Sequence, residues 1–409
     1  LPKTALALRL PAGMSRSAWI AVVVSCAWVY ALYRLDRKQA ATRLRQHKRW
    51  YIIGGILGGI LLLGGSASLY TLKKDSADGR FLMWKITTKA IQKQPITGTS
   101  LGGFPAAYAE TQAEYMASGK ATEQEKLVAG CPEYAFNEYL QIGLEQGLVG
   151  LALFIGWLGL LFYKGIKNKR YACCGGLMSL AIFAFSSYPL QLPEFWVVLI
   201  FLGVMSVTPD KDEIRENQAE SNGHRWGKQI FFMGIAILGI GLFWMQKDHY
   251  KAYQQWNKAQ MFYNNKAYEA ALEVYEPLYP LLKHKPEFLF EAAQSLSKTG
   301  QYEKANEYLE RAVLLSSDPM LYYVMAKNEQ CLGEYRQAEK HLLHAIDILP
   351  ERIYPYYLLM NLYTEPSYFQ PAKLKMAIDS VLTKKPKVES SAIKEMKEKA
   401  RSMLNNTSI

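Results

Sequence analysis

Uncharged apolar runs crowd this 409-residue chain up to about position 250, and the remainder is charged and mixed. A half suited to hydrocarbon and a half suited to water cannot share one core, so two regions are expected, a membrane portion and then a soluble portion. Backbone polar groups must be satisfied internally in lipid, and runs of this length do that as helices. The predicted class is all-α: a polytopic transmembrane helix bundle followed by a soluble helical domain.

A hydrocarbon core of about 30 Å takes about 20 helical residues to cross. Six runs meet or approach that length: Ala18 to Tyr33, Tyr51 to Leu72, Gln146 to Tyr163, Tyr171 to Leu190, Phe195 to Val207, and Gln229 to Gln246. The fifth is short, and it is expected to borrow Pro193 and Glu194 from a tight turn or to lie tilted or re-entrant. Lys and Arg gather between the first two runs (Arg34, Arg37, Lys38, Arg43, Arg45, Lys48, Arg49) and between the third and fourth (Lys164, Lys167, Lys169, Arg170). Those loops therefore face the cytoplasm. By alternation, the stretch from Lys73 to Glu145, the turn from Ser187 to Glu194 and everything after Gln246 face outward. Orientation accounts for the net charge of +12 better than nucleic-acid binding does. The five cysteines form no CxxC pair and have no partnered His, so neither a zinc site nor a disulfide framework is indicated.

The predicted domains are a membrane core over 1–208 containing the outward loop 73–145, a cytoplasmic linker over 209–228, a last crossing over 229–246, and soluble repeats over 250–409. The repeats show as Tyr268 with Ala271, Tyr302 with Ala305, and Tyr335 with Ala338, at intervals of 34 and 33 residues. That period belongs to helix-turn-helix repeats. The copies GQYEKANEYLERAV from Gly300 and GEYRQAEKHLLHAI from Gly333 resemble tetratricopeptide repeats, a resemblance covering Tyr250 to Thr383. Glycine suits the tight turn, and the small Ala lets the helices approach. Such repeats imply either a scaffold or a protein partner. The Lys-rich end from Lys384 to Arg401 reads as a solvated helix face.

Three places outside the repeats carry candidate chemistry. Arg16, in SRSAW, opposes the positive-inside bias at the outer end of a membrane helix, which suggests an anionic ligand; alone it also fits an interfacial Arg. In the outward loop Arg80 and Trp84 stand in RFLMW, followed by PITGTSLGGF, where Gly98, Gly102 and Gly103 would let backbone N–H groups turn toward phosphate oxygens. No GK[ST] follows, so this is not a Walker loop, and alone it also fits a turn. PEYAFNEYLQIGLEQGLVG then runs into the third crossing. Asn137, Gln141 and Glu145 recur every fourth residue with Glu138 beside them, predicting a polar face that looks into a cavity on a helix entering the membrane.

SRSAW, RFLMW and FNEYLQIGLEQGLVG, in this order and with this sidedness, resemble the C-terminal core of O-antigen ligases over Met14 to Val207. The resemblance implies a multi-spanning glycosyltransferase of the bacterial inner membrane. It would move a glycan from a polyprenyl (undecaprenyl) diphosphate donor to an acceptor hydroxyl on lipopolysaccharide core or protein Ser/Thr, at the periplasmic face, without metal or other cofactor. On that reading Arg16 and Arg80 bind the diphosphate, and Trp84, the glycines, Asn137, Gln141 and Glu145 line the substrate site. Two departures matter. The family commonly has His directly before the Asn of its NxxL motif, where this chain has Phe136, so Glu138 becomes the candidate base, with Glu133 and Glu145 behind it. The family also has several spans before the SR motif, so the sequence is expected to be N-terminally truncated. Alternatives are a polysaccharide polymerase of the same superfamily and a non-catalytic membrane scaffold.

Overall fold

A computed structural model describes residues 16–36, 74–208, 225–386 and 388–406; the expected second crossing, Tyr51 to Leu72, lies outside them. All regular structure among the described residues is helical. The chain divides into two compact units: residues Leu1–Leu101 with Tyr134–Arg225, and Gly102–Glu133 with Trp226–Ile409.

In the first unit α1 (Arg16–Asp36) and α6 (Gly147–Lys167) are each 21 residues long and apolar enough to cross a bilayer. The helices α7 (Tyr171–Ala184) and α8 (Pro193–Val207) are apolar but shorter, with 14 and 15 residues. The fourth run thus ends earlier than expected, because Pro189 lacks an N–H and disfavours helix in the residue before it. A 3₁₀ turn, Pro189–Gln191, follows, and Pro193 opens α8. Glycines bring the four helices close. A Cβ on Gly175 would lie 2.3 Å from Val29 of α1, and one on Gly165 would lie 2.4 Å from the Cys174 sulfur. Leu158, Leu161, Leu177, Leu180 and Leu199 fill the space between. Leu153, Leu160, Val197 and Phe201 stay exposed on the outer faces, as suits lipid-facing helices. Two further helices, α2 (Lys74–Lys93) and α5 (Glu138–Glu145), pack together beside them.

The second unit holds α9 (Arg225–Met245), the expected last crossing, whose Ile237, Leu238, Ile240, Phe243 and Trp244 are all exposed. Its repeats form helix pairs: α10 (Lys247–Asn264) with α11 (Tyr268–Leu282), α12 (Pro286–Lys298) with α13 (Tyr302–Val313), α14 (Met320–Leu332) with α15 (Tyr335–Ile348), and α16 (Ile353–Leu362) with α17 (Pro371–Thr383). Ala271, Ala305 and Ala338 are fully buried, as the repeat period predicts. The turns between paired helices place Gly300 at φ +81° and Gly333 at φ +80°; Lys266 holds the equivalent place in the first pair at φ +60°. The Lys-rich end is helical and keeps Lys394, Lys399 and Arg401 exposed. It folds as α18 (Ser391–Asn406), packs on α17 through the buried Ala400, and its Lys397 donates to the Lys384 carbonyl at 2.9 Å.

Part of the outward loop also folds with the repeats. Its α3 (Phe104–Ala117) packs against α15, with α4 (Glu123–Val128) following. Phe104, Tyr108 and Gln112 are buried there. The Gln112 side-chain amide donates to the Ile348 carbonyl at 2.8 Å and to the Gly130 carbonyl at 3.1 Å, while its oxygen accepts from the Tyr108 hydroxyl at 2.7 Å. The Ser317 hydroxyl donates to the Pro132 carbonyl at 3.1 Å. The loop 73–145 is thus shared between both units.

Candidate active site

Within the first unit the candidate residues gather around α2, α5 and the turn after α7. Arg80 lies on α2. Its guanidinium donates to the Ser186 carbonyl at 2.8 Å and sits 5.2 Å from the centre of the Phe136 ring. Such a cation–π contact contributes about 0.5 to 2 kcal/mol, depending on desolvation. One helical turn on, Trp84 donates its indole N–H to the Ala135 carbonyl at 3.2 Å and meets Phe185 edge to face. The Phe136 ring in turn stands edge-on to Tyr188, at 4.8 Å between centroids. Linked aromatic rings therefore adjoin the half-buried arginine on its Phe136 side.

Phe136 has φ +49°, in the left-handed region that a bulky side chain rarely adopts. Strain of this kind persists where the surroundings over-determine it, and here the Arg80 and Tyr188 contacts do so. Directly after it Asn137 caps α5, its side-chain oxygen accepting from the Tyr139 and Leu140 amides at 3.0 and 3.1 Å. Gln141 accepts from the Ala135 N–H at 2.8 Å and donates to Glu145 at 2.9 Å. The polar face was expected to look into a cavity. All three side chains are instead under a tenth exposed, and the hydrogen bonds of Asn137 and Gln141 hold the loop to its own helix.

Glu138 is 1% exposed. One carboxylate oxygen accepts from the Leu190 N–H at 2.6 Å and the other from the Gln191 side chain at 3.2 Å. Burial pushes its carboxyl above the ordinary value, the bonds from 190 and 191 oppose this, and the Glu145 charge adds to it. The turn from Ser186 to Gln191 thus receives both Arg80 and Glu138. Sequence reasoning placed an outward turn at Ser187 to Glu194 but gave it no part in the site; its signal is SSYPLQ interrupting the fourth apolar run.

The glycine loop has a mechanical role. The Gly98 N–H donates to Gln94, and the Thr99 and Ser100 amides donate to the Leu144 and Glu145 carbonyls at 2.9 and 3.0 Å, so these amides close the end of α5 rather than reach toward a phosphate. Gly98 is at φ +68°, and a Cβ there would lie 2.5 Å from the Glu145 backbone; one on Gly147, at φ +69°, would lie 2.0 Å from the Ile96 carbonyl. This crossing separates α5 from α6, where an unbroken helix was expected. Gly102 and Gly103 fall in the second unit, Gly103 as the residue before α3. Glu133 is also in that unit and is exposed. Arg16 opens α1, but its side chain lies outside the described residues.

The O-antigen ligase family model matches residues 4–155, and the model for anaphase-promoting complex, cyclosome, subunit 3 matches residues 264–345. No curated protein matches the chain. Among solved structures, MamA 41-end from Desulfovibrio magneticus RS-1 is 19% identical, with a TM-score of 0.31, over 39% of this chain and 98% of that one. The Yersinia enterocolitica type III secretion chaperone SycD, in complex with a peptide of the translocator YopD, is 16% identical, with a TM-score of 0.24, over 37% of this chain and 92% of that one. With Arg80, Phe136 and Asn137 placed on one loop-and-helix scaffold inside the matched segment, residues 4–155 are similar to O-antigen ligases, and tetratricopeptide-like repeats follow them in the chain.

Proposed function

We propose that the chain transfers a glycan from a polyprenyl diphosphate carrier to an acceptor hydroxyl at the periplasmic face of a bacterial inner membrane, the acceptor being lipopolysaccharide core or a protein Ser or Thr. The observation that carries this reading is Arg80, held between the Ser186 carbonyl and the Phe136 ring. As the glycosyl bond to the diphosphate breaks, negative charge grows on the leaving oxygens. A guanidinium fixed in advance, beside aromatic rings that keep water away, stabilises that charge more in the transition state than before it. Its planar fork also matches phosphate oxygens. Arg16 supplies the second cation.

The acceptor hydroxyl must lose a proton as it attacks, and Glu138 is the base we assign. In the resting arrangement both its oxygens are bonded to the 190–191 turn, so that turn has to release it for the step to occur. The packing of 102–133 on the repeats supports the sidedness, because segments that pack together share a compartment. Four apolar helices, α6 to α9, lie between that loop and α10, an even number of possible crossings. The six-span bundle belongs to this proposal.

The test is transfer in cells lacking the native protein, complemented with full-length variants. Arg80→Ala is expected to lose at least about a hundredfold in transfer, the usual loss when one preorganised charge donor is removed. Full transfer by both Arg80→Ala and Arg16→Ala would refute the enzyme reading. Glu138→Gln keeps an acceptor for the Leu190 N–H while abolishing proton uptake; unchanged transfer would remove Glu138 from the chemistry and leave it as an anchor.

A further inference from the structure

The first unit contains a cleft of about 780 Å³ between α1 and α7, which Arg80 does not line. Its walls are apolar and low: Val22 and Val29 on one side, Ala172 and the adjoining glycines on the other. The close approach of Gly175 to Val29 holds the two helices together at the cleft floor. One end is polar, ringed by Tyr30, Lys169 and Tyr171. Arg34 also reaches that end, donating to the Tyr30 hydroxyl at 2.8 Å with its guanidinium over the Tyr30 ring. Arg34 and Lys169 belong to the two basic loops assigned to the cytoplasmic side by their Lys and Arg content, and Tyr30 and Tyr171 lie beside them.

Lys169 breaks a local rule. Its N–H donates to Ile166 and the Arg170 N–H donates to Gly165, the paired bonds of a Schellman ending, in which the residue at this position is left-handed and usually glycine. Lys169 accepts φ +54° there. Lysine at this place brings to the polar end of the cleft a cation that glycine would not supply.

We propose that this cleft binds an anionic phospholipid of the cytoplasmic leaflet, one acyl chain lying between α1 and α7 and the headgroup phosphate meeting Lys169 and Arg34. Charge complementarity selects the occupant: basic pockets between membrane helices on this side take acidic headgroups. The tyrosine hydroxyls supply further donors at headgroup depth.

The test is native mass spectrometry of the full chain released from nanodiscs of phosphatidylglycerol or phosphatidylcholine with matched acyl chains. The wild type is expected to retain phosphatidylglycerol about 25-fold better, the combined effect of two cations near the headgroup. Lys169→Gly relieves the strained backbone and so keeps the fold, yet should lower that preference about fivefold, the share of one cation. Cys26→Phe, which fills the cleft, should lower retention of both lipids. Equal retention of the two lipids by the wild type, an undiminished preference in Lys169→Gly, or no retained lipid at all would overturn the assignment.

Discussion

Gln112 is the sharpest place to test how the repeats hold the outward loop. Its side chain is completely buried and makes three hydrogen bonds, to Tyr108, Gly130 and Ile348. Each such bond contributes about 1 kcal/mol net, so Gln112→Ala should weaken the docking of α3 and residues 129–133 by about 3 kcal/mol. At 1.4 kcal/mol per tenfold, that is about a hundredfold rise in the opened population. Hydrogen exchange on the full chain reads this directly: amides of α3 should exchange about a hundredfold faster while those of α10 to α13 stay unchanged. Tyr108→Phe removes one bond and should accelerate the same amides by about fivefold. An acceleration below about threefold in Gln112→Ala, or an equal one throughout the repeats, would refute the reasoning, since the first denies the bonds their weight and the second denies local opening.

Two further outcomes follow from the repeat turns and from a buried carboxylate. Lys266→Gly should raise the stability of the repeats by about 0.5 kcal/mol by relieving left-handed strain, whereas Gly300→Ala, with open space around its Cβ, should cost about 1 kcal/mol through strain alone; thermal unfolding monitored by circular dichroism compares them. Burial raises the Glu339 carboxyl, but hydrogen bonds from Lys373, Tyr363 and Tyr368 outweigh it and hold the group below its ordinary value. A depressed folded-state value contributes stability that is present above the unfolded carboxylate range, about pH 4, and is lost as pH falls through the folded value. Glu339→Gln should therefore be less stable than wild type at pH 7, with the difference shrinking on acidification, as denaturant titrations at pH 7 and pH 3 would show.

Spacing alone settled several features. The 33–34-residue recurrence of Tyr and Ala located the helix pairs, because an alanine at each crossing is a local requirement of close helix approach. The apolar runs located α1, α6 and α9, because crossing a bilayer is a matter of length and composition. Capping by Asn137 was within reach of the sequence too, since Asn directly before an acidic first turn is a helix-start signal.

Pairing across long separations was not legible. The bonds from Arg80 to Ser186 and from Glu138 to Leu190 join positions 106 and 52 residues apart, and the Gln112 bond to Ile348 spans 236. No periodicity encodes such contacts. Gly98 and Gly147 looked like a flexible loop and a helix interior, yet the backbone at Glu145 passes where a Cβ on Gly98 would stand, and that at Ile96 where one on Gly147 would. Composition and period determined which solvent each segment wants and how its helices repeat, because those depend on neighbours along the chain. Which carbonyl receives Arg80, and which helix the outward loop packs against, depended on neighbours in space, and only the tertiary structure decided those.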